Sequence, residues 1–406
     1  MGKLALNFIC KNEAHVIGKM LNSSKNIIDL IVVNDTGSTD GTQDIIKKFG
    51  EENKIPTYVF ERPFDDFEKS RNFAMQKLRD VVNELNWDPD KVHGFWFDCD
   101  ETLVIDAKFN KNQFTKDLYM INTYIGQMKY TRNTFFKVSK PFEWYGPVHE
   151  FIICKDKNIT SGLAENIHVD VKMIGASWKG NIPAKYKSHA FVLEKYIDEN
   201  RQDPRWIFYT AQSWHDSASV PDNREENEER LRRALKYYKE RTQRPDGYAE
   251  EIYYSQYRIG TIMRMLEEPW NLTHQELLKA YAMDPLRGES IKVIIDHYLQ
   301  VGEWHMAYLY TKFAKVNFHG KNPYPARLLF VDESLYNWKF LEAHAAACFY
   351  TGRMDEARAT YNEIVNLTKT HPQSFTQDDL NKIAQNGQFF NQPKQNPQPV
   401  KPASVK

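Results

Sequence analysis

The chain has no charge imbalance: 54 lysines and arginines face 54 aspartates and glutamates among 406 residues. No long-range field of either sign is available to gather DNA or RNA. Cysteine is scarce. Cys10, Cys99, Cys154 and Cys348 are scattered without the spacing of a disulfide framework or a metal motif, which predicts reduced thiols and a cytoplasmic location. No stretch approaches the roughly 18 consecutive apolar residues that cross a bilayer. Residues 1–9 are too short an apolar run for a secretory leader and show no small-residue cleavage site. No membrane span is therefore expected. Glycine is missing where nucleotide loops usually need it. There is no Gly-x-x-x-x-Gly-Lys-Ser/Thr run, and Cys10-Lys11-Asn12-Glu13 closes the first apolar run without a glycine. A P-loop enzyme, a dinucleotide-binding fingerprint and a nucleotidylyltransferase loop are all disfavoured.

What remains is an ordinary globular composition, 41% hydrophobic and 27% charged. The length suits two domains, or one domain with a repeat array. Aromatics reach 14%, which suits sugar-stacking surfaces but equally the cores of helical repeats, and cores are the weightier reading. The first hundred residues alternate apolar runs with amphipathic stretches. Strands are expected at 4–10, 27–33, 57–60 and 92–97, and helices at 13–21, 42–49 and 66–85, with Asp40 capping the second helix and Gly50 stopping it. Such alternation implies a parallel, doubly wound sheet. Residues 117–154 turn strand-rich, an expected antiparallel extension, and 162–173 should close the domain. Beyond Pro183 the texture becomes helical. Paired segments are expected at 205–216 with 224–241, 249–266 with 273–283, 289–301 with 304–316, and 334–350 with 355–367. These read as helical hairpins stacked into an array. The tail from 388, rich in Gln, Pro and Asn, reads as disordered.

Asp98-Cys99-Asp100-Glu101 follows the fourth apolar run. Two carboxylates one residue apart at a strand's C-terminal end reach the crevice where open α/β sheets bind ligands. Their repulsion is relieved by a hard divalent cation, which can in turn hold a diphosphate. Alone, such a pair is also what a solvated acidic turn looks like. Asn34-Asp35-Thr36-Gly37-Ser38-Thr39-Asp40-Gly41-Thr42 follows the second strand and opens a helix. A tight capped loop explains Asp40 and Gly41, but not Asp35 at the strand tip, where a carboxylate can accept hydrogen bonds from a nucleobase.

Together with Lys11-Asn12-Glu13 and Ser70-Arg71-Asn72-Phe73-Ala74, these phrases occur in the order of the family-two glycosyltransferases. The chain most resembles the branch fused to tetratricopeptide-like helices. The motifs cover about residues 3–175, and the helical half matches more loosely. The resemblance implies a GT-A-type nucleotide-sugar-binding α/β domain with a mixed sheet over 1–180. An all-α helical-hairpin repeat domain over 181–387 and the tail 388–406 would follow. It also implies residue roles. Asp35 would bind the base of a nucleoside-diphosphate sugar with Asn12 beside it, and Arg71 would contact the nucleotide and its diphosphate. Asp98 would touch the ribose or the cation, Asp100 would ligate Mn2+ or Mg2+, and His168 would be a third ligand. Mixed carboxylate and imidazole ligation would tilt the choice toward manganese. Cys99 stands where many relatives have alanine and is expected to pack into the core. In Trp144-Tyr145-Gly146-Pro147-Val148-His149-Glu150, Glu150 takes the place of the base that deprotonates an acceptor hydroxyl, and His149 would position it. A polar pair closing a turn is the competing reading of those two residues. The implied reaction is an inverting sugar transfer. Its acceptor would be a glycan, a protein or modified nucleic acid recruited by the helical domain. The alternative is a helical binding scaffold with an inactive catalytic-like domain.

Overall fold

The computed structural model describes residues 2–126, 128–172, 181–221, 223–321 and 329–390. They form two compact units, Met1–Arg230 and Leu231–Lys406.

The first unit is built on parallel strands. β1 (Lys3–Cys10) and β2 (Leu30–Asp35) pair in parallel from Ala5↔Leu30 to Cys10↔Asp35, and β2 is buried along its whole length. That is why its sequence is nearly continuous in Leu, Ile and Val. β3 (Thr57–Glu61) lies outside β2, and β4 (Val92–Phe95) lies on the other side of β1, both parallel. The C-terminal ends of these strands therefore share one edge. Beyond β4 the sheet turns mixed through β7 (Met128–Lys137), β6 (Leu118–Ile125), β10 (Ser161–Val171) and β5 (Glu101–Ile105), in the order β3-β2-β1-β4-β7-β6-β10-β5. A separate hairpin joins β8 (Phe142–Tyr145) to β9 (Phe151–Cys154). This is the mixed-sheet α/β architecture of the GT-A kind, followed by helices.

Alternation along β1 sends Leu4, Leu6 and Phe8 into one core with α1 (Ile17–Ser24) and α2 (Thr42–Asn53). Ala5 on the opposite face packs with Val32 and with Leu78 and Val82 of α3 (Phe67–Glu84). Asn7 is buried on that second face and ties the layers together, donating from Nδ2 to the carbonyls of Val32 and Ala74.

Several elements differ from the sequence reading. The first helix begins at Ile17 rather than 13, because the backbone of Glu13 and Ala14 is engaged by the following loop. α2 runs through Gly50 to Asn53 and ends at Lys54 in the left-handed region. Gly50 serves contact, not termination: a Cβ there would lie 2.1 Å from Thr57 Oγ1. The fourth strand stops at Phe95, two residues early. A helix absent from the sequence reading, α4 (Ile182–Asn200), packs against α5 (Pro204–Ser217), and both lie in the first compact unit. α5 thus takes α4 as its neighbour, in place of the expected partner α6 (Arg224–Thr242).

In the second unit α7 (Ala249–Met265), α8 (Trp270–Met283), α9 (Glu289–Val301), α10 (Trp304–Asn317), α11 (Phe340–Tyr350), α12 (Met354–Thr370) and α13 (Gln377–Phe390) each pack on the next in chain order. The last three expected hairpins are present. Gly302 and Gly352 take positive φ at the ends of α9 and α11, where a side chain would be strained. Residues 388–390, expected in the tail, are the last turn of α13, and the rest of the tail lies outside the described residues.

Candidate active site

Two loops form one edge of the site, and side chains stitch them together. Asn12, at φ 57°, donates its backbone N–H to Ser38 Oγ at 2.9 Å and accepts from the Thr39 N–H at 2.9 Å. The Glu13 N–H reaches Thr42 Oγ1 at 2.9 Å, and the Ala14 N–H reaches Asp40 at 3.0 Å. Asp40 also accepts from the Thr42 N–H and hydroxyl, so it serves both the helix start and the seam. Asp35 is fully buried beneath them. Its Oδ1 accepts from the N–H groups of Gly37 at 2.9 Å and Ser38 at 2.7 Å, and its Oδ2 faces the Cys10 thiol at 3.4 Å. Burial opposes its charge, but the Ser38 and Gly37 hydrogen bonds prevail and hold its carboxyl below the usual range.

Across the edge, at the end of β4, Arg71 of α3 gathers the carboxylates. Its Nε donates to Glu150 Oε1 at 2.7 Å and a terminal nitrogen donates to Asp98 Oδ1 at 3.0 Å. The guanidinium lies against an edge-to-face pair of indoles, Trp96 and Trp144, 4.6 and 4.7 Å from their ring centres, and only 7% of the side chain is exposed. Asn72 fixes Trp144 by exchanging two hydrogen bonds with its backbone, at 2.7 and 2.9 Å. Burial works against Arg71, yet Asp98 and Glu150 outweigh it and keep it charged. Asp98 is likewise opposed by burial, but Arg71 and then Arg132 hold its carboxyl below the usual range.

The acidic motif is a turn closed on itself. Glu101 accepts from the Asp98 N–H at 2.8 Å and forms a bidentate pair with Arg132, whose guanidinium also lies against Trp96, at 4.4 Å. Glu101 is thereby withdrawn from the crevice. Asp98, 47% exposed, and the half-buried Asp100 remain near the surface. Cys99 points inward as expected, with Sγ 3.8 Å from the Ile9 carbonyl, and burial pushes its thiol up. Through Cys99 and Cys10 the tips of β4, β1 and β2 adjoin. Asp35 and Asp98-x-Asp100 thus occupy one edge of the sheet.

The β8–β9 hairpin carries Glu150. Gly146 takes φ 109° with its N–H bonded to Glu68 at 2.7 Å, and a Cβ there would lie 2.1 Å from Trp206 of α5. His149 turns from the carboxylates: its ring stacks on Tyr209 at 4.6 Å, and Nε2 lies 3.2 Å from Ser213 Oγ. Burial and the neighbouring His189 push its pKa down to about 3, so the ring is neutral.

His168 is not brought to the acidic pair. It sits on β10 opposite Val104, against Tyr124 and 3.6 Å from Asp170. Val171 is the residue opposite Glu101, so His168 lies roughly 10 Å further along the strand. Among the described residues Asp98, Asp100 and His168 form no convergent set of three ligand atoms. Sequence reasoning missed Lys185 of α4. Burial depresses its pKa while Asp98 and Asp100 act to raise it, which marks an ammonium close to the acidic pair. It also missed the tryptophan pair. The spacing of Lys185 carried no motif, and only the packing of α4 in this unit reveals it.

The family model described as "Glycosyl transferase family 2" matches residues 8–82, which take in the end of β1, both stitched loops and Arg71. Two curated relatives are similar: the SPbeta prophage-derived glycosyltransferase SunS of Bacillus subtilis (strain 168) and the glycosyltransferase SunS of Bacillus phage SPbeta. Each is 24% identical over 252 residues, covering 58% of this chain and 54% of the relative. The chain thus spans about half the length of the curated relatives it matches. Solved structures of S. aureus TarS are more distant. TarS 1-349 is 11% identical, with a TM-score of 0.33 over 66% of this chain and 91% of that one. Its complex with UDP is 12% identical, with a TM-score of 0.31 over 69% and 88%.

Proposed function

We propose that this protein is a glycosyltransferase that moves a sugar from a nucleoside-diphosphate sugar to an acceptor hydroxyl with inversion. The observation that carries this is Arg71 holding Asp98 and Glu150 together, joining an acidic strand-tip motif to a carboxylate that lies 79 residues from Arg71 in the chain. Support also comes from the family match over the same loops.

Arg71 and Lys185 would face the diphosphate, and the stitched loops would floor the nucleotide pocket. Asp35 would act there through the loop it shapes, since its oxygens are turned to Gly37, Ser38 and Cys10. The donor set fits a divalent cation of the Mg2+ or Mn2+ kind. Such ions take one or two carboxylates and complete their shell with phosphate oxygens and water, so Asp98 and Asp100 suffice without His168. Bound there, the cation would offset charge on the departing diphosphate. The acceptor oxygen would form the new bond to the anomeric carbon as the bond to diphosphate breaks, and Glu150 would accept its proton. The helical unit is proposed to recruit the acceptor, whether glycan, polypeptide or modified nucleic acid.

The test is calorimetric titration with UDP, GDP, CDP and TDP, each with and without Mn2+. One nucleotide should bind in a cation-dependent manner, and Asp100→Asn should abolish that dependence. Failure of all four to bind with the cation present overturns the reading.

A further inference from the structure

Away from the sheet, α11 presents His344 and Cys348 one helical turn apart, on the face that meets Glu356 of α12. The three donor atoms all lie within 4.8 Å of one another. His344 Nε2 is 3.0 Å from Glu356 Oε1 and 3.6 Å from Cys348 Sγ. In a tetrahedral zinc site the bond lengths place nitrogen and sulfur ligands about 3.6 Å apart, and nitrogen and oxygen about 3.3 Å apart. The first separation is already met, and the second needs a few tenths of an ångström.

The contacts around the ring suit Nε2 as the nitrogen offered to a metal. Thr311 Oγ1 donates to the Tyr308 carbonyl at 3.1 Å and contacts His344 Nδ1 at 3.0 Å. With Nδ1–H donated to Thr311, the ring takes the tautomer in which Nε2 is the bare nitrogen, the one a metal ligand needs. In that tautomer Nε2 and Glu356 Oε1, 3.0 Å apart, are two acceptors facing each other. The Cys348 thiol proton can satisfy one of them, not both. A cation satisfies both at once. The supporting contacts are those of a metal site: Nδ1–H held by Thr311, and Glu356 Oε2 accepting from Tyr308 OH at 3.0 Å.

We propose that His344 Nε2, Cys348 Sγ and Glu356 form a site for a borderline-soft divalent cation, Zn2+ foremost, in the helical unit. The ligand set of one thiolate, one imidazole and one carboxylate selects zinc over magnesium or calcium, and a fourth position remains for water. Glu356 is 38% exposed, which supplies the route of entry. Burial pushes the Cys348 thiol up to about 12, so binding releases its proton to solvent and strengthens as pH rises. A bound ion would pin α11 to α12, with Thr311 of α10 as its outer support.

The experiment uses the full, untagged chain loaded with Zn2+ or Co2+, desalted, and analysed for metal. One equivalent is expected, and an Asp100→Asn control should retain it. The cobalt form should show the thiolate-to-metal charge-transfer band and tetrahedral visible bands. Cys348→Ser, nearly isosteric, should unfold at the wild-type midpoint in chelator yet lose that band, and Thr311→Val should weaken affinity about 10–100-fold. Absence of stoichiometric metal in the wild type overturns the site. So does a charge-transfer band that survives Cys348→Ser, or uptake that vanishes with Asp100→Asn.

Discussion

At the scale of single residues, Arg71 is the hinge of the proposed chemistry. A lysine there would keep the charge but offer one point donor where a planar fork now serves two carboxylates beside a pair of indoles. Arg71→Lys is expected to lower the rate of sugar transfer or donor hydrolysis about 100-fold, the scale of losing one preorganised charged donor. An unchanged rate in steady-state assays would remove Arg71 from the reaction. Gly146 makes a second test. Its positive φ and the absence of room beside Trp206 mean that Gly146→Ala must move α5 or the hairpin. A stability loss of about 2–4 kcal/mol is expected in urea unfolding, with activity falling too because Glu150 rides on the same hairpin.

Elements show where the sequence was readable and where it was not. The parallel strands announced themselves through apolar runs, and three of the four motifs fell at their C-terminal ends, the fourth, Ser70–Ala74, lying on α3. What periodicity could not carry was contact. Gly50 looked like a helix stop because the Thr57 side chain that excludes a Cβ there comes from a separate strand. α4 escaped because its apolar face is narrow, with only Ala190, Leu193 and Ile197 buried, and Lys185 escaped with it. His168 fitted by order along the chain, but strand register, invisible in a single sequence, sets it apart from Asp100. In the helical unit the same blindness hid buried ion pairs. Arg287 is wholly buried and pairs with Glu289 at 2.9 Å, while Tyr253 and Tyr336 donate to Glu289 at 3.2 and 3.1 Å. Arg287→Met should cost about 3–5 kcal/mol by leaving that carboxylate buried and uncompensated. The double change with Glu289→Leu should recover part of the loss, and chemical denaturation of both variants measures it.

For the whole molecule, zero net charge leaves acid sensitivity to individual groups. His149 and His189 have pKa values depressed from 6.5 to about 3 and about 4, chiefly by burial. The unfolded chain binds protons at these rings first. Their contribution is therefore complete above about pH 6.5 and is lost as pH falls toward 3–4. Each ring weakens the fold by up to about 1.4 kcal/mol per pH unit across that window. Urea midpoints between pH 7 and 4.5 should fall, and fall less in a folded His149→Gln variant; an equal slope would assign the sensitivity elsewhere. The stitched loops have a different molecular consequence. Because Ser38, Thr39, Asp40 and Thr42 grip residues 12–14 through the chain's own hydrogen bonds, the cradle is set when the chain folds. A visiting nucleotide would order little backbone there, so its association should be fast and discrimination among bases should follow from a fixed mould, not from one that closes around its cargo.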